Sequence, residues 1–249
     1  MILETLLALT LLGTAPATAL DTMIPAVERG VVVGSVDSLE RARGELLEQL
    51  TGDAAPSVDQ RYLLAYIDWR LAQLMMAAPK SQEKERLEIL EEAQQHLEAL
   101  IEAAPEHAEG HALLGSILGL QIGDSAFRGM RLGPRSSAAI DRAHELAPEN
   151  PRVALARGIG WLHTPKAFGG GVDKAAAELR RAEELFQQES PDKAWPYWGH
   201  VDSLIWHGQA HARLKNPDTA RILYQRALAI EPDYGWIRYR LLPALDASK

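Results

Sequence analysis

The chain has 249 residues, with 34 acidic against 26 basic side chains and a formal net charge of −8. That balance argues against nucleic acid or an anionic membrane surface as the main partner. Hydrophobic residues make up 47% and charged residues 24%, the composition of an ordinary globular protein. The chain has no cysteine, which removes disulfides, thiolate metal sites, cysteine nucleophiles and lipid attachment through a lipobox.

The first segment reads as a module of its own. Leu6 to Leu12 is an apolar run broken by one Thr, and Ala15-Pro16-Ala17-Thr18-Ala19 supplies small residues after it. This is the pattern of a secretory signal peptide over 1–19, cut after Ala19, and it predicts a periplasmic or secreted protein. Glu4 and the absence of Lys or Arg ahead of the apolar run depart from that pattern. The competing reading is an N-terminal helix packed on the rest of a chain that stays in the cytoplasm. No other segment has the ~18 apolar residues that a membrane span needs. The next stretch, 20–36, is mixed, with Val31-Val32-Val33 as its only apolar cluster, and is expected to be irregular.

From 37 to 249 nearly everything predicts helix. Alanine, leucine, glutamate, glutamine and arginine dominate, and the breaks are short and carry Pro or Gly. Apolar residues recur at three and four spacing, as in Leu63, Ile67, Leu71, Leu74 and in Leu87, Leu90, Leu97, Leu100. The expected helices are 37–51, 57–78, 82–103, 106–122, 134–147, 151–163, 173–189, 196–214, 217–230 and 233–245. Sustained strand alternation is absent, so the fold class is all-α.

The helices repeat. Pro105, Pro148, Pro191 and Pro232 follow one another at steps of 43, 43 and 41 residues, and Gly115 and Gly158 are also 43 apart. Periodicity of this length means stacked helical hairpins, each too small to bury its own apolar face. From Val201 to Pro232, Leu204, Gly208, Ala220, Tyr224, Ala227 and Pro232 fall at positions 4, 8, 20, 24, 27 and 32 of the unit. That spacing resembles the tetratricopeptide repeat, with His207 and His211 standing where large apolar residues are usual. Small residues at Gly208 and Ala220 allow helices A and B to cross closely, and Pro232 ends helix B. The other units fit with longer turns between helix A and helix B, at Gln121 to Pro134 and at His163 to Val172. The expected architecture is an irregular solenoid of about four such hairpins with a C-terminal capping helix.

Thr164-Pro165 closing helix A, the loop Gly169-Gly170-Gly171, and Asp173-Lys174-Ala175 opening helix B resemble the T-component proteins of bacterial tripartite (TRAP) solute transporters. The resemblance covers about 110–190 and rests on that one loop motif. It implies an exported helical-repeat protein that docks a solute-binding protein and carries a ligand-accessible pore. The missing lipobox cysteine departs from that family.

No motif for catalysis is present, and the chain is expected not to be an enzyme and to need no cofactor. The triple glycine precedes a helix start but lacks a P-loop's Gly-Lys-Ser/Thr ending, so an ordinary turn is the better reading. His207 and His211, and likewise His107 and His111, share helix faces, yet no third ligand accompanies either pair and packing is the better reading. Trp195, Tyr197, Trp198 and Trp206 read as packing between repeats, with an aromatic clamp as the alternative. The two long turns fall on one edge of the stack, where Phe127, Arg128, Arg131, His163, Lys166 and Phe168 make a candidate basic and aromatic patch. A normally stacked array also has a concave wall, here including Arg152, Ile159, His163, Ile205, Gln209 and Arg213, suited to a peptide or an amphipathic helix. The expected function is a scaffold that binds a partner protein. The alternative is a small-ligand carrier with an apolar channel near Trp161 and Phe168.

Overall fold

The computed structural model describes residues 19–50, 55–76, 79–189 and 198–247. Most of the expected leader, together with Pro191, Trp195 and Tyr197, lies outside them. Eleven α-helices are found among the described residues: α1 Ala19–Val33, α2 Val36–Gln49, α3 Val58–Met75, α4 Glu83–Ala103, α5 Ala108–Ile122, α6 Ala126–Leu146, α7 Pro151–His163, α8 Val172–Gln188, α9 His200–Arg213, α10 Pro217–Ile230 and α11 Leu242–Ala247. A π-helical turn, Ile237–Leu241, leads into α11, and no strand occurs among the described residues.

The starts of the helices are written locally. Ser35, Ser57, Ser125, Asn150 and Asn216 each accept a backbone N–H from the first turn of the helix that follows. Ser57 and Gln60 complete a reciprocal capping box on α3. Pro151 and Pro217 take the first helical positions of α7 and α10, where a missing N–H costs nothing.

Helices α3/α4, α5/α6, α7/α8 and α9/α10 pair as four A–B hairpins, and each B helix packs on the A helix that follows. The glycines expected at the crossings sit there. A Cβ at Gly115 would lie 2.5 Å from Ile140 on α6, one at Gly158 would lie 2.7 Å from Leu179 on α8, and one at Gly208 would overlap the Tyr224 ring on α10. In these three hairpins the A helix lies directly against its B helix because these positions lack a side chain.

Two expectations about elements are corrected. The segment 20–36 is helical over Ala19–Val33 because Ile24, Val27 and Val31 fall on one buried face, which outweighs the β-branched run and Pro25. The stretch Gln121 to Pro134 is not a long turn. Only Gly123, Asp124 and Ser125 connect α5 to α6, and α6 runs through Pro134. Gly123 takes the left-handed angle (φ 48°) that reverses the chain, and the Ser125 side chain starts the helix. The extra residues of this repeat thus lengthen helix B.

A simple solenoid leaves its first and fourth repeats apart. Here they meet. Tyr62 to Ala72 on α3 is buried without a break, so this helix is enclosed on every side. Arg70 of α3 donates to both carboxylate oxygens of Asp202 on α9, at 3.0 and 2.5 Å, across 132 residues of sequence. The indole N–H of Trp198, just before α9, donates to the Tyr62 hydroxyl at 3.1 Å. Helix α1 covers the same face, packing on α2 and α3, and its Arg29 pairs with Asp233 beyond α10. The concave side of the array is filled by the protein's own chain.

On the other side of α3, Arg43 of α2 ties three helices together, donating to Asp68 at 2.6 Å and also pairing with Glu92 of α4. Asp68 is fully buried, and its second oxygen has no hydrogen-bond partner among the described residues. Burial pushes its carboxyl up to about 7 against the opposing pull of Arg43. The folded state therefore holds a proton here that the unfolded chain, with an ordinary aspartate value near ~4, has released. This group's contribution to stability must fall as pH rises from about 4 to about 7. Urea midpoints measured across that window should decline less in Asp68→Asn than in the wild type.

Candidate functional site

The wall predicted as a partner groove divides in two. Its inner half is core. Arg152 of α7 is 2% exposed and pairs with Glu189 at 2.7 and 3.1 Å, while Glu109 lies 3.9 Å away. Ile205 is completely buried. Neither residue reaches a partner. For Arg152 the reason is the closure of the array, which places the Glu189 and Trp198 side chains against a face that an open solenoid would leave to solvent.

The outer half stays accessible. There His163 at the end of α7 meets Trp206 of α9 edge-on, with ring centres 5.7 Å apart, and Trp206 meets Trp236 edge-on at 5.9 Å. Trp206 is half-buried, His163 and Trp236 are exposed, and Ile159 and Gln209 flank them half-buried. Arg213 donates to the Leu162 carbonyl at 2.7 Å, which fixes its guanidinium beside His163. Desolvation and the Arg213 charge together hold the His163 imidazole below the usual histidine range, so it is neutral at pH 7. The Gln209 amide nitrogen is enclosed without a hydrogen-bond partner. Of the residues expected on this wall, His163 and Arg213 lie side by side, with Ile159 on the helix of the first and Gln209 on that of the second. The structure adds Trp206 and Trp236. Trp206 lies one turn before Gln209 on the same face, a signal the sequence carried; Trp236 comes from beyond α10 and had none.

The second candidate surface is the edge where A helices turn into B helices. Helices α5 and α7 pack side by side, so their C-terminal turns emerge together. Phe127 is 71%, Met130 74% and Phe168 80% exposed, and all three lie in these turns or the first helical turns after them. Arg131 beside them is exposed and has no ion-pair partner among the described residues. Arg128 is less free than expected: it bonds the Ile122 carbonyl and pairs with Glu83 at 3.0 Å, which ties α6 to α4. Lys166 pairs with Asp173 at 3.2 Å, both well exposed.

The glycine loop is a self-satisfied turn. The N–H groups of Gly169, Gly170 and Gly171 donate to the carbonyls of Lys166, Pro165 and Trp161. Gly169 (φ 86°) and Gly171 (φ 130°) take angles that favour glycine, and a Cβ at Gly170 would strike the Thr164 carbonyl. These amides are therefore spent within the loop rather than turned toward an anion.

The channel expected near Trp161 and Phe168 is not formed. Lys174 Nζ lies 3.7 Å from the centre of the Trp161 ring and the Arg157 guanidinium 4.4 Å from it, so cations cover this ring. Phe168 faces solvent. The histidine pairs have other work. His107 Nδ1 accepts the Gly110 N–H at 2.9 Å and caps α5, His111 bonds the Pro105 carbonyl, and buried His207 bonds Glu183 at 3.0 Å. No group of three metal-ligating side chains gathers among the described residues, and no helix there is long and apolar enough to cross a membrane.

The chain matches no protein-family model and no curated protein sequence. Solved structures do resemble it. A thermophilic TPR protein from Thermus thermophilus superposes with a TM-score of 0.60 at 17% identity, over 91% of this chain and 99% of that one. The fold is of the tetratricopeptide type. HusA, a haemophore from Porphyromonas gingivalis, superposes with a TM-score of 0.65 at 20% identity, covering 81% of this chain and 96% of its own. At these identities the likeness concerns architecture, and it extends over most of this chain and nearly all of each of the other two.

Proposed function

We propose that the protein is a non-enzymatic scaffold that holds another protein against the A-to-B edge of its repeats. The observation that carries this reading is the exposure of Phe127, Met130 and Phe168 on one edge, where large apolar side chains gain nothing unless something covers them. Arg131 and Lys166 lie among them, so an apolar partner surface with acidic groups at its rim fits best. The resemblance of Thr164 to Gly171 to the T-component loop, together with the leader pattern, supports an exported protein whose partner is a solute-binding protein. Cross-linking in periplasmic extract, with the wild type beside the triple variant Phe127→Ser, Met130→Ser, Phe168→Ser, tests this. One defined cross-linked species is expected from the wild type, reduced about tenfold or more in the variant, since buried aromatic anchors carry most of such an interface. The same species at equal yield in both would end the proposal.

A second reading is favoured by the His163, Trp206 and Trp236 ladder: a carrier for a flat, largely apolar ligand stacked on these rings. The architecture shared with a haemophore makes haem the first ligand to try, with neutral His163 able to offer a ring nitrogen to iron. Titration of the protein into haemin should give a saturable shift in the visible spectrum that Trp206→Ala weakens about tenfold, as expected for loss of one stacking ring. A featureless titration would remove this reading and leave the scaffold reading untouched.

A further inference from the structure

Helix α1 lies on the concave face as a bound helix would. Its anchors Ile24, Val27, Glu28 and Val31 fall at i, i+3, i+4 and i+7, the spacing of an amphipathic helix seated in a groove. Glu28 comes within 3.3 Å of the Arg70 guanidinium and accepts a hydrogen bond from the Tyr66 hydroxyl. The charged centre of the receiving surface is also held from the side away from α1. Arg70 is held from beneath by Asp202, and the rings of Tyr66, Trp69 and Trp198 stand 5.3, 4.9 and 5.6 Å from its charged centre. Outside its buried apolar face, the ties of α1 near its C-terminal end are light. Its side-chain link to the far rim is the Arg29–Asp233 ion pair at 3.0 Å, with side chains 59% and 61% exposed, a type of pair that contributes little. Just beyond Arg29, α1 joins α2 through Gly34, whose φ of 71° makes a compact turn.

We propose that the concave wall around Arg70 is a docking surface for a partner's amphipathic helix carrying a carboxyl side chain between apolar anchors, and that α1 holds that place in cis. This face is distinct from the A-to-B edge, so the inference stands or falls independently of the partner proposed there. The chemistry of the guest follows from the groups that face Glu28: Arg70 and Tyr66 from α3, Asp202 from α9, and Tyr234 from the C-terminal segment. One guanidinium serves two carboxylates. Burial raises the Glu28 carboxyl above its ordinary value against the pull of Arg70, and Asp202 raises it further. A carboxyl entering this place is bound more readily with its proton, so docking strengthens as pH falls.

The probe is a fluorescent peptide with the sequence of residues 19–34 carrying Arg29→Gln, so that loss of Asp233 weakens only α1 held in cis, added to the full chain as wild type and as Asp233→Asn, which opens the exposed link without touching the core. Saturable binding is expected, about two- to fivefold tighter to the variant, the scale of an exposed ion pair. Exchange of α1 amides should speed by a similar factor while α3 stays protected. Glu28→Ala in the peptide should weaken binding about tenfold, the scale of a hydrogen bond to a charged partner, and the peptide that keeps Glu28 should bind more tightly at about pH 5.5 than at about pH 8. Failure of the peptide to bind either protein, with α1 exchanging as slowly as α3 in both, overturns the proposal and makes α1 a fixed part of the core. Dimers of Asp233→Asn that exclude the peptide also overturn it, assigning the place to α1 of a second copy.

Discussion

Arg70→Ala is expected to lower the unfolding free energy by about 3–5 kcal/mol, the cost of removing one member of a buried ion pair. Arg70 is 2% exposed and Asp202 6% exposed, so neither charge has water to fall back on. The substitution leaves Asp202 and Glu28 facing each other without a cation and leaves three rings around an empty space. A urea melt at pH 7, followed by circular dichroism, reads the loss as a lower midpoint. Arg70→Met combined with Asp202→Leu and Glu28→Gln should recover most of it, because the group then holds no charge that needs a partner. A cost under about 1 kcal/mol for Arg70→Ala would show that water reaches the cluster and that the two ends of the array are not joined through it.

That join was the least legible feature of the sequence. The hairpins themselves could be read because their determinants are local: Gly115, Gly158 and Gly208 recur from repeat to repeat and each meets its own B helix. The starts of α7 and α10 were equally readable, fixed by Pro151 and Pro217 after asparagine caps. Arg70 and Asp202, in contrast, are 132 residues apart, and nothing in either helix names the other. The hint that existed was α3 itself. Asp68 and Arg70 stand in a run that is otherwise apolar on every face, and such a helix lies at the centre of a fold rather than at the end of an array. Reading the array as normally stacked left the concave wall open and placed Arg152 and Ile205 on it. Pro134 misled in the opposite sense, since a proline inside a 21-residue helix looks in sequence like a helix start.

The exposed candidates depend on local topology more than the buried ones do. Phe127, in the first turn of α6, and Phe168, in the α7–α8 connection, lie where A helices give way to B helices, a placement that follows from hairpin topology alone. The His163 cluster was half legible for the same reason. Ile159 and His163 share one face of α7, and Gln209 and Arg213 share one face of α9. Trp236 arrives only because the chain after α10 folds back, with Tyr234 buried and Gly235 close to the Val32 carbonyl of α1.

Trp198→Ala should cost about as much as Arg70→Ala, roughly 3–5 kcal/mol for truncating a buried tryptophan, and should also change how the protein comes apart. The indole touches both ends of the array at once. Its ring is tilted against those of Tyr66 and Trp69 at centre distances of 4.9 and 5.3 Å, donates to Tyr62, and lies within 5.9 Å of the Arg152 guanidinium. In a simple solenoid the terminal repeats open first because each has one neighbour. Here the first repeat is pinned to the fourth, so the wild type should exchange its α3 and α9 amides at similar, near-global rates. With Trp198 truncated, α9 and α10 lose their hold on α3, and their amides should exchange well ahead of those of α3. Trp198→Phe separates the two effects. It keeps a ring in the cluster and gives up the hydrogen bond to Tyr62, so it should cost only about 1 kcal/mol beyond the smaller ring and preserve the matched exchange. If Trp198→Ala lowered stability while α9, α10 and α3 still exchanged together, the indole would be filling space without coupling the ends, and Arg70 with Asp202 would hold the closure alone.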